Sequence, residues 1–390
     1  MKILSTIGQL FRIDTSQSRV YGLDIIRAVA LMFVLISHGQ LLLPESFKPY
    51  TRIFILDGVT MFFVLSGFLI GGILIKEVEN NEVSKKLLIG FWIRRWFRTL
   101  PNYFLVLTIL GLISNSFLDD FPLKMLAQYY VFVQNLFYPH PTFFTEAWSL
   151  SVEEWFYLFT PVLLFACIKY FKIKPKYSLL IVAFAFIAFG TAVRWIRFEN
   201  LAEISIHNWD LYFRKQVISR IDSIMYGIVV AWLYYYYRAY CMKYKKHFMI
   251  LGLTILIVSK ALSMLGVTGI GRYFHVFWFI ETSVATGMVL PFLANLKQGS
   301  GMVYKGLTIS SLTSYSIYLL HHSLVIQWIV KPLPLASWLG NELLASLIGY
   351  ALYWFITIGL ATLQYKYFEI PMTKLRDHPK VLALYTKKAP

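Results

Sequence analysis

Ten stretches of the chain are apolar over the length a helix needs to cross a bilayer. They lie at roughly residues 21–43, 53–75, 99–117, 148–170, 177–195, 217–237, 248–268, 274–295, 309–331 and 338–364. The stretch LKMLAQYYVFVQNLFY, 123–138, is shorter and more polar, and its pattern predicts an interfacial or re-entrant segment rather than a crossing. The pattern therefore predicts an all-α, polytopic integral membrane protein. It has a short N-terminal segment, 1–20, a transmembrane domain over 21–364 and a basic tail over 365–390.

Basic residues test that map. They concentrate before residue 20, in 76–98, 169–176, 238–246 and 297–305, and after 364, and they are sparser in the intervening loops. That alternation predicts both termini on the cytoplasmic side. The first 20 residues lack an apolar core followed by a small-residue cleavage site, so the first span is expected to act as the insertion signal. The tail suits the inner headgroup layer better than independent folding.

Composition removes whole classes. The 390 residues are 58% hydrophobic and 15% charged, well under the charged share of soluble domains. The formal net charge of +17 would suggest nucleic acid in a soluble chain, but here it sits in short loops next to apolar runs, where anionic headgroups meet it. The 26 Tyr and 11 Trp fit interfacial belts. Only Cys167 and Cys241 are present, so neither a disulfide framework nor a thiolate zinc cluster is expected. Nucleophile-elbow, phosphate-loop, zinc-hydrolase and dinucleotide signatures are absent from the sequence, and no metal is expected.

Ionisable residues inside spans are costly and so mark candidate sites. Asp24, Arg27 and His38 share one face of the first span, with Arg27 and His38 about 16 Å apart along the axis. His38 falls in the outer half of the membrane and is a candidate general base, against the alternative of a packing histidine. Asp24 and Arg27, three apart, could form a local pair. Arg94, Arg95 and Arg98, with Lys85 and Lys86 upstream, stand at the cytoplasmic mouth of the third span, where they either anchor the helix or grip a polyanion. Glu153 and Glu154 enter the fourth span about 100° apart, so one of them at most should face His38. Arg220 competes as a partner for Glu153, with Asp222 able to satisfy that arginine instead. Lys260 and Glu281 lie at similar depths and read as a structural pair, while His321 or His322 could line a cavity.

Taken together, LDIIRAVALMFVLISHG (23–39), GVTMFFVLSGFLI (58–70), RRWFRTLP (94–101), WSLSVEEWFYL (148–158), RIDSIMYG (220–227), SYSIYLLHHS (314–323) and FEIP (368–371) resemble, in order, the motifs of acyltransferase family three, bacterial membrane O-acyltransferases of carbohydrates. The resemblance implies acyl transfer, usually of acetyl, from cytoplasmic acetyl-CoA to a hydroxyl of a surface polysaccharide such as lipopolysaccharide, or of its lipid-linked precursor. It implies location in the bacterial cytoplasmic membrane. It also implies functional roles for Arg27 and His38, a donor-binding Arg95 and Arg98, and a functional Glu153; the charged residues themselves add Arg94 to the donor group and place Asp24, Arg220, Asp222 and His321 about a substrate cavity as expectations. Where the common motif has an aspartate, this chain has Thr60. Many relatives add an extracytoplasmic esterase-like domain; without one the chain is expected to complete transfer itself or with a separate partner. The expected mechanism has His38 taking the hydroxyl proton, Glu153 orienting it and Arg27 stabilising the oxyanion, with an acyl-histidine intermediate as the alternative. Acylation of a cytoplasmic small molecule such as a macrolide, and glycan transport, are the rival functions; self-association is left open.

Overall fold

The computed structural model describes residue 13 and residues 19–118, 122–266 and 271–385. The charges Lys2 and Arg12, most of the stretch read for a signal peptide, and the end of the tail lie outside the described residues. Among the described residues the chain is helical without strands.

The long helices are α1 (Tyr21–Gly39), α2 (Gly58–Asn80), α3 (Lys85–Phe117), α4 (Leu123–Tyr130), α5 (Ala147–Lys169), α6 (Pro175–Glu199), α7 (Asp222–Tyr236), α8 (Arg238–Met264), α9 (Trp278–Leu293), α10 (Gly301–Leu320) and α11 (Glu342–Gln364). Nine helical segments among the described residues are long and apolar enough to cross a membrane, which makes this a multi-pass membrane protein. The tenth expected crossing is α10, which runs on as a π-helix over His321–Val330. Its Ser, Thr and His side chains are buried inward, which lowers its apolarity without exposing polar groups to lipid.

Two boundaries differ usefully from the sequence reading, and one segment agrees with it. Helix α3 starts at Lys85 rather than near 99, because Ser84 caps it through the Leu87 amide, so the arginines ride on the spanning helix itself. The segment after α4 is not a crossing: its chain turns, with Phe132 at φ 58°, and buries Gln134, Asn135 and His140 beneath the bundle surface. Beyond α11 the helix continues through Tyr365–Glu369, and the buried Glu369 accepts from Asn102 on α3 (3.1 Å) and Ser316 on α10 (2.5 Å).

The centre of the bundle is the pair α2 and α7. They approach so closely that a Cβ on Gly67 would stand 1.9 Å from the Ile224 carbonyl oxygen, and one on Gly227 2.0 Å from that of Val64. In a membrane, where apolar burial gives helices little reason to associate, such backbone proximity supplies the packing. Around this pair α1, α3, α5 and α10 enclose one cavity. A second opens between α1, the start of α2, α8 and α9.

Candidate functional site

The first cavity, here the arginine cavity, gathers Arg27 from α1, Arg95 and Arg98 from α3 and Glu153 from α5. Arg95 and Arg98 are one helical turn apart and so share a face. Arg94 points elsewhere: it pairs with Glu77 at 2.8 Å and its guanidinium lies over the Tyr385 ring, 5.7 Å from the centroid. The expected trio of donor-binding arginines thus reduces to two within the cavity, because adjacent residues on a helix face about 100° apart.

Arg27 is held from behind. Its Nη1 donates to Ser311 Oγ (3.0 Å), which in turn donates to Asp24 Oδ1 (2.7 Å). Asp24 sits 3.6 Å from Arg27 but closes on Arg19 at 2.5 Å, so its charge is spent on anchoring and it does not line either cavity. Glu153 accepts from the Tyr157 hydroxyl (3.2 Å), which meets Ser66 Oγ at 3.0 Å. Glu154 is turned away and accepts from Thr99 (2.8 Å).

The second cavity, the histidine cavity, is lined by His38, Asp57, Arg214 and Lys260 among apolar and hydroxyl side chains. His38 Nδ1 lies 2.7 Å from His321 Nε2, and His321 Nδ1 lies 2.8 Å from the Tyr318 carbonyl oxygen. A carbonyl only accepts, so His321 carries its proton on Nδ1. With His321 neutral, its Nε2 is then an acceptor, and His38 must donate from Nδ1. This leaves His38 Nε2 as the bare nitrogen, an assignment made from the hydrogen-bond network.

His322 completes the cluster. The His38 ring centroid is 5.0 Å from that of His321 and 4.9 Å from that of His322, so two consecutive residues pack on one ring where the helix widens to π geometry. His322 Nδ1 is 3.6 Å from Glu146, which also accepts from the Ser323 amide (3.0 Å) and hydroxyl (2.5 Å). The carboxylate behind the histidines is therefore Glu146, not the expected Glu153, which lies in the arginine cavity with its hydroxyl partner Tyr157.

Arg220, Asp222, Lys260 and Glu281 are placed differently from the sequence reading. Asp222 pairs with Arg194 (2.7 Å), both fully buried, rather than with Arg220. Arg220 donates to Thr60 (2.7 Å), lies 3.9 Å from Asp57 and stacks over Phe279 at 4.2 Å, so neither Arg220 nor Asp222 lines a cavity wall. Lys260 and Glu281 do not form an ion pair: Lys260 turns to the histidine cavity. The residues missed were Arg194, Asp57 and Glu146. Arg194 stands alone in the apolar run TAVRWIR, and the rule that marked Arg27 applies equally to it. Asp57 caps α2, its Oδ1 accepting from the Thr60 amide (3.1 Å) and its Oδ2 from the Thr60 hydroxyl (2.6 Å). The carboxylate absent at position 60 is thus supplied three residues earlier. Burial works against charge on Asp210, yet Arg214 and Lys215 beside it hold that carboxyl below its usual range.

Val59, in the first turn of α2, lines both cavities. Arginines suited to a polyanion and a histidine with a bare nitrogen therefore occupy adjoining chambers with one side chain shared between them. Among the described residues no group of three or more His, Cys, Asp or Glu side chains could hold a metal ion.

Known proteins give this arrangement a context. A provisionally named O-acetyltransferase of Staphylococcus aureus strain COL is 30% identical over 234 residues, 55% of this chain and 34% of that protein. The peptidoglycan O-acetyltransferase OatA of Listeria monocytogenes is 32% identical over 184 residues, 43% of this chain and 28% of OatA. An uncharacterised protein of Haemophilus influenzae is 27% identical over 191 residues, 44% of this chain and 72% of its own length. The chain thus matches about a third of the length of the first two relatives. No solved structure matches it. The family profile described as "Acyltransferase domain" matches residues 20–365, nearly every residue that builds the two cavities, and the chain belongs to that family of membrane acyltransferases.

Proposed function

We propose that the protein is an O-acetyltransferase that moves an acetyl group from cytoplasmic acetyl-CoA to a hydroxyl of a cell-surface saccharide or its lipid-linked precursor. The observation that carries this reading is the adjacency of the two cavities through Val59. In the arginine cavity, Arg95 and Arg98 lie near the Lys85 end of α3, beside the basic stretch 76–98 that the positive-inside rule assigns to the cytoplasm. Arg95 and Arg98 would meet the phosphates of CoA with planar, forked donors.

The pantetheine arm would run along α2 past Ser66, bringing the thioester near Val59. His38 Nε2 takes the proton of the acceptor hydroxyl as its oxygen attacks the thioester carbonyl. Arg27, fixed by Ser311 and Asp24 in the arginine cavity about 16 Å along the helix from His38, acts with Arg95 and Arg98 on the donor and not, as expected from the sequence, at the acyl oxygen. Glu153, away from His38, shares the cavity with Arg27, Arg95 and Arg98 and is held by Tyr157, so it does not charge the histidine. His321 acts as a positioning residue that keeps the proton of His38 on Nδ1.

The test is transfer by the purified protein in nanodiscs, with acetyl-radiolabelled CoA and extracted surface glycans as acceptor. Alkali-labile label in the glycan with wild type, and none with His38→Ala, is the expected result. Ordinary turnover by His38→Ala would overturn the assignment of the base. No label with wild type, despite measurable CoA binding, would overturn the acceptor class.

A further inference from the structure

The histidine cavity carries more positive charge than its own carboxylates balance. Arg214 is engaged by Asp210 at 2.9 Å, and Lys215 closes on the same carboxylate. Asp57 is taken up by two contacts from Thr60 and lies 3.9 Å from Arg220. Lys260, on α8, has no ion-pair partner among the described residues, although it lines the cavity within an apolar spanning helix. Arg52 adds a second like charge close enough to act on it. An ammonium at such a position is costly unless an anion meets it, so an unpaired one on a cavity wall marks the place of an anionic ligand group.

Another part of the lining has different chemistry. Trp209, Phe274 and Trp278 line the same cavity, with Trp209 and Phe274 ring centroids 4.7 Å apart and Trp209 and Trp278 5.7 Å apart. Trp209 also lies parallel to Phe279 behind it, at 5.6 Å and 4°, which fixes its plane. Aromatic faces carry negative charge density and receive the C–H face of a sugar ring, while Ser37, Ser259 and Thr282 offer hydroxyls to its edge.

We infer that the histidine cavity is the acceptor site and that it selects a negatively charged saccharide, held on the Trp209–Phe274–Trp278 wall with its anionic group on Lys260. This rests on the acyltransferase reading for the reaction but not for the binding. The shared chemistry is an oxyanion attached to a sugar, and it has two possible sources: a carboxylate on the sugar itself, or a phosphate that joins the sugar to a carrier.

The experiment measures binding in nanodiscs of uncharged phosphatidylcholine, using ligand-observed NMR competition. The probes are a glucuronate-containing disaccharide, its carboxyl-reduced neutral counterpart, and glucose 1-phosphate. At least one anionic probe is expected to bind about tenfold more tightly than the neutral one, as a charge-assisted hydrogen bond would give. Whichever anionic probe does so names the source. Lys260→Met should bring that ratio to within about twofold, and Lys260→Arg should retain it. Equal binding of charged and neutral sugars to wild type, a ratio unchanged in Lys260→Met, or no binding of any probe would each overturn the inference. Lys260-dependent binding without ester formation from acetyl-CoA would instead count against the transfer reading. Acetylation of the neutral sugar as fast and as tightly bound as the charged one would count against this inference alone.

Discussion

The two cavities handle ionisable groups in opposite ways. In the arginine cavity three guanidinium groups and one acidic side chain line a common space, with Arg27 braced by Ser311 and Glu153 by Tyr157, which in turn meets Ser66. In the histidine cavity the reactive ring is surrounded by other imidazoles and held by single hydrogen bonds in one tautomer. The first arrangement is suited to holding a ligand by permanent charge. The second is suited to taking up a proton, since a neutral imidazole offers a bare nitrogen and a guanidinium has none. In the proposed reaction, binding and chemistry thus fall to different chambers of one bundle.

The largest effect should come from removing the base. His38→Ala is expected to lower kcat by about a thousandfold while leaving the KM for acetyl-CoA close to that of wild type, a split read by steady-state kinetics. An equal loss in both parameters would merge the two chambers into one. Next, Arg95→Ala with Arg98→Ala should raise the KM for the donor by about thirtyfold, with the acceptor KM nearly unchanged. Inorganic pyrophosphate should inhibit wild type more strongly than this double variant.

His321→Ala should cost about tenfold in kcat, since His38 would be free to turn and to exchange tautomers. His321→Gln, which keeps an acceptor for the His38 proton, should recover most of that loss; no recovery would assign His321 to packing alone. The smallest effect on chemistry belongs outside both cavities. Arg194→Met leaves Asp222 buried without its partner, and should destabilise the fold by about 3–5 kcal/mol, read as a lower thermal midpoint in detergent. Donor KM in the surviving folded fraction should remain unchanged.

The same contrast explains what could be read in the sequence. Spans were legible because bilayer thickness imposes a length and an apolarity on each, and Arg27, Arg95, Arg98 and Glu153 were legible because charge in that setting stands out. Their convergence in one cavity needed only the packing of three helices. The histidine network was not legible in the same way. His321 and His322 were visible as residues, but their joint contact with His38 depends on a local π-helix, and the tautomer depends on a backbone carbonyl. Exchanged partners were the other failure: Asp222 chose Arg194 over the nearer-in-sequence Arg220, because α6 and α7 pack side by side and bring their buried charges together. Sequence distance along one helix is a poor guide when the alternative partner lies across an interface.

The hydrogen-bond line from His38 through His321 stops at the Tyr318 carbonyl oxygen. A peptide oxygen cannot keep a proton, so this line is a terminus and not a conduit. Any proton that His38 Nε2 removes from an alcohol has only the chamber itself into which to return, where the departing thiolate of the donor is the group that needs it. In the proposed transfer the cycle would therefore close within the protein: the alcohol's hydrogen would end on the free thiol and the acyl group on the alcohol, with no net charge crossing the membrane. Turnover should accordingly be indifferent to a transmembrane proton gradient.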